Sequence, residues 1–451
     1  MQSKEKLFRD PIHNVIHFDP RQLPGKLLLE LIDTATFQRL RNIKQMGLAN
    51  YVYHGAEHSR FSHSLGTMHV AKRFYKAALK NTEKQCEDEY TILMAAALLH
   101  DIGHAPFSHA FESALKDITD FKHEKLSVRL ITDHNSEIYK IIAKYDPTWP
   151  RKIADAIAPS ENHEWFHPII TSQLDTNRMD YLLRDGYMTG IQNYHYDLER
   201  IIEMIDRDEQ GPLVHYRALQ AVESYILSRF HMYLQVYHHK TVRSAEKLIE
   251  ALFRRAANLF LNGNKKILKV GRLGTFLEDL LSKNTIDINN YAKLIDAHGW
   301  TAIDLWQQSD DPVIAELAQR LLSRNYLKSL PVNAETLPLF NRIKPEIEEL
   351  FDENNIDHNY FLSLDTTINN AFAPYKPNYP SLPFTKNENI TKIADNIRIV
   401  MPNAKILNIE EASPIVEMLT RISSHSVRCF FPEQLRPQIK TILQKYKIIE
   451  S

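Results

Sequence analysis

The sequence predicts a mainly helical chain that ends in a small lobe of mixed helices and strands. The 451 residues include only 12 glycines, so the residue that most often interrupts regular elements is scarce. Long stretches carry apolar residues at intervals of three and four positions, the spacing that gives a helix one buried face. Near the C-terminus this pattern gives way to short runs of branched and aromatic residues, which favour strands.

The helices are predicted from this spacing, in chain order. They cover residues 26–46, 64–80, 89–101, 123–133, 136–145, 177–186, 217–261, 312–325 and 336–354. The segment LNGNKKILKVGRLG, at 261–274, predicts either a domain boundary or a surface loop. Farther on, PYKPNYPSLPF begins at Pro374 and contains four prolines in eleven residues, so it predicts an extended connection.

Strands are predicted only beyond this connection. NIRIVM and AKILNI, separated by Pro402 and Asn403, read as two strands, and SVRCFF as a third. We therefore expect three regions: a helical core over 1–262, a helical extension over 263–373 and a small α+β lobe over 374–451.

Composition restricts the class of protein. The formal charge of -1 provides no global basic field, so nucleic acid and anionic membranes are not expected as partners. The two cysteines are too few for a disulfide framework, which favours a reducing cytoplasm. No run approaches the roughly 18 apolar residues of a membrane span. A soluble globular protein is the expected class.

Histidines and acidic residues concentrate around one short segment. LLHDIGHAPFSH, at 98–109, places three histidines and one aspartate directly after the apolar run TILMAAALL. A carboxylate at the end of a buried helix needs a cation or a hydrogen-bond donor. A lone His–Asp pair is most often structural, but His63 lies upstream, and His123, Glu124 and LDTNRMDYLLRD lie downstream. Imidazole and carboxylate together favour Fe, Mn, Zn or Ni. A buried hydrogen-bond network is the alternative.

Seven segments together resemble one enzyme family. They are, in order, KLFRDPIHNVI, DTATFQRLRNIKQMG, HSRFSHSLG, LLHDIGHAPFSH, HEKLS, RMDYLLRD and RFHMYLQVYHHKTVRSAEKL, and they resemble the HD-domain deoxynucleoside triphosphate (dNTP) triphosphohydrolases. The similarity covers about residues 4 to 250, and ASPIVEML resembles the terminal region of the bacterial members. The resemblance implies a helical HD-domain core and a reaction that cuts a dNTP into deoxynucleoside and inorganic triphosphate.

The resemblance also implies a metal site and its catalytic neighbours. His63, His100 and Asp101 match three metal ligands, whereas Asn177 stands where relatives have aspartate. Asparagine still offers a carbonyl oxygen but brings no negative charge, and the charge of a site tunes its affinity. The implied cofactor is one divalent ion (Fe, Mn, Zn, Ni or Mg), with a further Mg on the nucleotide phosphates. The matching catalytic residues are His104, His109, His123 and Glu124.

Within this catalytic group, His109 is the expected general acid, because a histidine titrates near neutrality and the leaving 5′-oxygen needs a proton. Glu124 is expected to orient the His123 ring. Asp175 is two positions from Asn177 on a helix and therefore points elsewhere, so we do not expect it to be a ligand.

Matching positions also imply a substrate site and a regulatory site. The substrate positions are Gln45, Met46, Arg60, Arg178, Tyr181, Asp185, Arg229, Tyr237 and Lys240. Gln45 and Met46 would contact the 3′-hydroxyl and the 2′ face of the sugar, so that ribose is rejected. The regulatory nucleotide positions are Lys6, Asp33, Gln38 and Arg41, and they imply an activating GTP or dNTP and a homotetramer.

The regulatory match is partial, because Arg9 and Val15 depart from the pattern and DTATFQRLR is equally compatible with an ordinary amphipathic helix. Two other functions remain open. One is a dNTP sensor that binds without turnover, motivated by Asn177. The other is an HD phosphodiesterase or nuclease, although the chain lacks a basic-aromatic tract for a nucleic-acid strand.

Overall fold

The computed structural model describes residues 5–81, 86–116, 118–119, 122–158, 164–283, 285–332, 334–370, 372 and 396–449. The α-helices in these ranges are α1 (Leu23–Ile32), α2 (Ala35–Gln38), α3 (Arg60–Ala78), α4 (Glu87–Leu99), α5 (His109–Leu115), α6 (His123–Thr132), α7 (Glu137–Tyr145), α8 (Trp149–Ile157), α9 (Thr176–Thr189), α10 (Leu198–Glu203), α11 (Leu219–Met232), α12 (Lys240–Leu261), α13 (Arg272–Lys283), α14 (Ile288–Tyr291), α15 (Asp296–Trp306), α16 (Pro312–Leu322), α17 (Leu337–Glu353), α18 (His358–Phe361), α19 (Ile409–Ala412), α20 (Pro414–Leu419) and α21 (Arg436–Lys445). The predicted mainly helical fold class is confirmed.

Strands form three small sheets at the periphery of the helices. They are β1 (Lys6–Asp10), β2 (Asn14–Phe18), β3 (Ile205–Asp208), β4 (Gly211–His215), β5 (Lys328–Val332), β6 (Ser363–Asn370), β7 (Arg398–Val400), β8 (Ile406–Asn408) and β9 (Ser423–Phe431). β1 and β2 make an antiparallel hairpin, and the other sheets have the orders β3-β4-β7-β8 and β5-β9-β6.

Most predicted helices are confirmed, but two long ones are wrong in extent. The helix predicted over 26–46 breaks after α1, because the Thr34 hydroxyl accepts the backbone N–H of Phe37 and caps a new helix, α2. The helix predicted over 217–261 is interrupted between α11 and α12. There the chain forms a π-helical turn at Tyr233–Tyr237, and His239 takes an extended conformation that caps α12. The helices that were not predicted are α5, α8, α10, α13, α14, α15, α18, α19, α20 and α21.

The C-terminal strands are confirmed, although they do not share one sheet. β7 and β8 pair antiparallel around the Pro402–Asn403 turn, and β7 also pairs parallel with β4 of the preceding helical region. β9 instead lies between β5 and β6. The predicted connection at Pro374 lies outside the described residues, and the three domain boundaries remain a prediction. At 261–274 the chain makes a short 3-10 turn, Lys265–Leu268, before α13 begins.

The core that carries the site is built on α4. Acidic residues occupy its first turn, where the helix dipole favours them, and every residue from Thr91 to Leu99 is buried. Three consecutive alanines, 95–97, keep the middle of α4 narrow, so that α3 and α8 pack closely on it. None of the described helices combines the length and apolar character needed to cross a bilayer.

Candidate metal centre and active site

Side chains from three helices meet at the end of α4. His63 lies in the first turn of α3, His100 and Asp101 follow α4, and Asn177 lies in the first turn of α9. The Nε2 atom of His63 lies 3.2 Å from Nε2 of His100, 3.1 Å from Oδ1 of Asn177 and 3.8 Å from Oδ2 of Asp101. His63, His100 and Asp101 are all buried. The structure thus brings together the four residues predicted as metal ligands.

The protons on the two imidazoles decide what this cluster can bind. His100 donates from Nδ1 to the carbonyl of Ala97 at 2.9 Å, and His63 donates from Nδ1 to Asp180 Oδ2 at 2.8 Å. Both Nε2 atoms are therefore lone-pair acceptors, and they face each other beside a carboxylate and an amide oxygen. Acceptors that converge without a shared proton repel one another unless a cation lies among them. This donor set fits a divalent metal ion.

The groups around Asp101 favour its ionised form. Burial disfavours its charge, but His100, Arg60 and His104 together lower the pKa of the carboxyl well below its usual value. Arg60 makes a direct ion pair with Asp101 and also donates from Nε to Ser108 Oγ at 3.0 Å. Burial is the main reason that the pKa of His100 is lowered, which keeps its ring neutral and available as a ligand.

A second group of histidines adjoins the four predicted metal ligands, which we call the metal cluster. The rings of His104 and His123 stack with centroids 3.8 Å apart, and His109 lies 5.3 Å from each of them. His104 Nε2 lies 3.3 Å from Asp101 Oδ1, so the two groups share Asp101. The three predicted catalytic histidines thus lie together, with His109 exposed over 69% of its side chain.

The carboxylate that orients His123 differs from the predicted one. Glu112 accepts from both the backbone N–H of His123, at 3.1 Å, and its ring Nδ1, at 2.7 Å. Glu124 lies 3.5 Å from Nε2 and is 58% exposed, so it is the weaker partner. Sequence reasoning missed Glu112, although its position three residues after His109 on a helix was a usable signal.

Their surroundings push the pKa values of the two stacked histidines apart. Burial, Arg60 and His123 lower the pKa of His104 well below its usual value. Burial acts in the same direction on His123, but the hydrogen bond and charge of Glu112 outweigh it and raise that pKa. A neutral His104 therefore faces a His123 that keeps its proton more readily, which is the division expected of an acceptor and a donor in one site.

The loop between Asp101 and Ser108 is fixed from outside the cluster. Arg39, itself buried, donates to the carbonyls of Ile102 at 2.5 Å and of His104 at 3.0 Å. Gly103 packs against α6 so closely that an added Cβ would lie 2.2 Å from the carbonyl oxygen of His123. These contacts explain why the motif needs glycine between its histidines.

The predicted sugar positions lie beside the metal cluster. Asp185 accepts from the Tyr237 hydroxyl at 2.8 Å and contacts His58 Nε2 at 2.7 Å. The Tyr181 ring lies 6.4 Å from that of His63 and 6.2 Å from that of Tyr237. Aromatic rings and a carboxylate thus form one wall next to a metal ligand.

Gln45 contacts Arg60, the ion-pair partner of Asp101, and Met46 follows it in the chain. The carbonyl of Gln45 accepts from Arg60 Nη2 at 3.3 Å. Its side-chain oxygen is buried without a partner among the described residues, so this amide retains hydrogen-bonding capacity for a ligand. Met46 is half-buried against the core.

The remaining predicted phosphate-binding cations are dispersed. Arg178 pairs with Asp175, which caps α9, and Arg229 lies 3.5 Å from Gln173 and over the Tyr233 ring. Lys240 lines a separate basic cavity of about 310 Å³, whose other cations are Arg324, Lys328 and Arg436. Sequence reasoning missed these three residues, because they come from distant segments.

The predicted regulatory positions form two contacting pairs. Lys6 lies 3.7 Å from Asp33, and Arg41 donates to Gln38 at 2.7 Å. The guanidinium of Arg41 also lies 3.5 Å over the ring of Phe61. Both members of the Lys6–Asp33 pair are more than half exposed and are therefore open to a ligand.

Two family models match adjacent parts of the chain. The HD domain model matches residues 60–185, and the HD associated region model matches residues 196–276. All four predicted metal ligands lie inside the first match. Among relatives, the uncharacterized protein YwfO of Bacillus subtilis is 32% identical over 436 residues, which span 96% of this chain and 93% of YwfO. The chain belongs to the HD-domain phosphohydrolase family.

More distant relatives include proteins with named activities. The deoxynucleoside triphosphate triphosphohydrolase SAMHD1 of Gallus gallus is 28% identical over 330 residues, spanning 64% of this chain and 52% of SAMHD1. The chain thus spans about half the length of that relative. A phosphohydrolase from Bacteroides thetaiotaomicron has a crystal structure that superposes with a TM-score of 0.75 at 26% identity, covering 95% of this chain and 100% of that one. The predicted family resemblance is confirmed.

Proposed function

We propose that this HD-domain phosphohydrolase hydrolyses dNTPs to deoxynucleoside and inorganic triphosphate. The proposal depends mainly on one observation. The Nε2 lone pairs of His63 and His100 face each other beside the Asp101 carboxylate, and the group of His104, His109 and His123 lies next to them. The 28% identity to SAMHD1 of Gallus gallus supports the choice of dNTPs within the phosphohydrolases.

The metal site would be held by His63, His100, Asp101 and the Asn177 amide. A divalent ion bound there supplies Lewis-acid activation of the α-phosphoryl group and of a water nucleophile. Arg60, held against Asp101, supplies a fixed positive charge beside the reacting phosphoryl oxygens. Mg²⁺ on the outer phosphates would complete the neutralisation of the substrate.

Proton transfer is assigned to the histidine group. His123, whose pKa Glu112 raises, stabilises negative charge as it develops on the phosphoryl oxygens. His109 is the exposed member of the group and donates the proton to the leaving 5′-oxygen. Neutral His104 would orient the attacking water, and the proton that the water loses passes to solvent.

Two walls of side chains would contact the sugar. Asp185 and the tyrosines at 181 and 237 form one wall, and Gln45 with Met46 forms the other. The free amide oxygen of Gln45 accepts from the 3′-hydroxyl, and the Met46 side chain packs against C2′ so that ribose is excluded.

The direct test is product analysis with the full chain loaded with Mn²⁺. Each of the four dNTPs and four rNTPs is incubated with the protein, and products are separated by ion-exchange chromatography. We expect inorganic triphosphate and deoxynucleoside from dNTPs, and loss of both in His109→Ala. Release of orthophosphate or pyrophosphate, or cleavage of cyclic nucleotides or oligonucleotides instead, would refute the proposal.

A second candidate function is a dNTP sensor, which Asn177 favours because the site then carries one carboxylate fewer than the family resemblance implies. Tight dNTP binding by the Mn²⁺-loaded chain without any product would establish this alternative. Equilibrium dialysis with radiolabelled dATP, run beside the product assay, separates the two functions.

Regulation and assembly are part of the proposal. A guanine nucleotide or dNTP at Lys6, Asp33, Gln38 and Arg41 would stabilise a homotetramer in the cytoplasm. Light scattering with and without GTP tests this, with Asp33→Asn as the variant that should no longer respond. An unchanged mass in the presence of GTP and dNTP would remove regulation by assembly from the proposal.

A further inference from the structure

A fully buried carboxylate lies behind the metal ligand His63. Asp180, on α9, uses both oxygens: Oδ2 accepts from His63 Nδ1 at 2.8 Å and from Arg184 Nε at 2.8 Å. Its Oδ1 accepts from Arg184 Nη2 at 2.8 Å and contacts His13 Nε2 at 2.7 Å. Each oxygen therefore has two partners, and the carboxylate cannot rotate without breaking contacts.

The β1–β2 hairpin, far from Asp180 in sequence, supplies one of these contacts and a further contact to Arg184. His13 belongs to the turn of the hairpin, and Asp10, at the end of β1, accepts from Arg184 Nη1 at 2.8 Å. Asp10 also accepts the backbone N–H groups of Ile12 at 2.9 Å and His13 at 3.0 Å, which fixes the turn. The hairpin thus contacts both the carboxylate and the arginine that neutralises it.

A glycine on α3 leaves room for the Asp180–Arg184 pair. Gly66 lies on α3, one turn after His63, and an added Cβ would lie 1.9 Å from Asp180 Oδ1 and 2.4 Å from Arg184 Nη2. Burial disfavours the charge of Asp180, but Arg184, His13 and His63 together lower its pKa well below the usual value. Asp180 is thus paired as an anion with Arg184 and accepts a hydrogen bond from each of its partners.

We propose that Asp180 and His13 are positioning residues of the metal centre, which make the affinity of His63 for a divalent metal depend on the amino-terminal hairpin. This inference rests on the metal site of the proposed function but not on its substrate. Accepting from Nδ1 fixes the proton of His63 on that atom, leaves Nε2 as the ligand lone pair and makes the ring more basic. Since His13 contacts the other oxygen and Asp10 holds Arg184, displacement of the hairpin would weaken the contacts that keep the carboxylate aligned with the His63 ring.

The inference also gives the hairpin a second role. Its first residue, Lys6, contacts Asp33 at 3.7 Å, in the pair predicted to meet a regulatory nucleotide. A ligand that moves β1 would act at its far end on Asp10 and His13, and from there on His63 through Asp180. The β1–β2 hairpin, with five residue pairs, therefore connects the predicted regulatory pair to the predicted metal ligands through direct contacts.

The test measures metal affinity rather than turnover. The full-length chain is loaded with Co²⁺, whose visible absorption reports its coordination, and is titrated with a competing chelator. Asp180→Asn keeps the shape of the side chain but weakens the acceptor, and His13→Phe keeps a ring but removes the hydrogen bond. Loss of such a supporting contact typically costs about 10- to 100-fold in metal affinity. We expect a loss in this range for Asp180→Asn and roughly 10-fold for His13→Phe.

The matched control is His69→Phe. His69 lies on α3 with its ring 5.2 Å from that of His13, and no contact joins it to Asp180 in the described part of the chain. It should leave Co²⁺ affinity and absorption within about twofold of the parent. Thermal unfolding of all variants, measured without metal, separates lost affinity from lost folding; should Asp180→Asn not fold, His13→Phe decides.

The outcomes distinguish this inference from the proposed function. Parental affinity in both Asp180→Asn and His13→Phe, or an equal loss in His69→Phe, would overturn the positioning role. If the parent binds Co²⁺ and the variants lose it, the inference stands even when no dNTP is hydrolysed. A parent that binds no Co²⁺ would overturn both.

Discussion

Asn177→Asp should strengthen metal binding, because it adds a carboxylate where the lone pairs converge. The amide oxygen of Asn177 already lies 3.1 Å from Nε2 of His63, so the substitution needs no change of position. Among the described residues, the carboxylate next to both Nε2 atoms is that of Asp101, and Arg60 neutralises part of its charge. A second anion would therefore raise the attraction for a divalent cation substantially.

The magnitude follows from charge and burial. Two unit charges about 4 Å apart interact by about 4 kcal/mol at an effective dielectric constant of about 20, and a divalent ion doubles this to about 8 kcal/mol. In the metal-free chain, burial and the neighbouring Asp101 carboxylate favour the protonated form of the new carboxyl, and release of that proton on metal binding offsets several kcal/mol of the attraction. A net gain of about 1.4 to 2.8 kcal/mol remains, which corresponds to roughly 10- to 100-fold tighter binding.

Isothermal titration of the metal-free chain with Mn²⁺ measures this change. Asn193→Asp is the matched control, since it makes the same chemical change at an exposed position just beyond α9. The control should bind Mn²⁺ like the parent. Equal or weaker binding by Asn177→Asp would show that position 177 is not a ligand and would refute the charge argument.

The remaining predictions concern proton transfer, folding and sugar choice. Glu112→Gln removes the partner that raises the pKa of His123, so the alkaline limb of kcat/KM should move to lower pH; an unmoved limb would exclude His123 as the protonated group. Gly66→Ala should lower the free energy of unfolding in urea by about 1 to 3 kcal/mol, because its Cβ meets Asp180, and unchanged stability would contradict this packing. Met46→Ala should raise rNTP relative to dNTP hydrolysis by roughly 5- to 150-fold, and an unaltered ratio would place the sugar pocket elsewhere.

Much of the fold could be predicted because local pattern and tertiary packing agree. The run TILMAAALL is apolar on all sides, so it could only become a helix buried on all sides, and α4 is that helix. The break inside 26–46 could not be read from periodicity, since apolar residues continue on both sides of it. There the hydroxyl of Thr34 competes locally for the backbone and starts a new helix.

The predicted metal ligands could be named from the sequence because they belong to short motifs. His100 and Asp101 are adjacent, and Asn177 lies in the run LDTNRMDYLLRD, so these residues could be matched to the family by its motifs. Their supporting residues were not accessible in the same way. The i,i+3 spacing places Glu112 near His109, but it does not show that Glu112, rather than Glu124, holds His123, because that choice depends on how α5 packs beside α6.

By itself the sequence determined the helical class, the histidine-rich centre and the family, because composition, periodicity and motif order are properties of the chain alone. Only the tertiary structure decided which ring nitrogen of each histidine carries the proton. The Nδ1 proton of His63 is fixed by Asp180, 117 residues away in sequence, and Asp180 in turn is held by His13, 167 residues away. These hydrogen-bond partners are set by the distance between side chains in the folded protein, and this distance cannot be read from their separation along the chain.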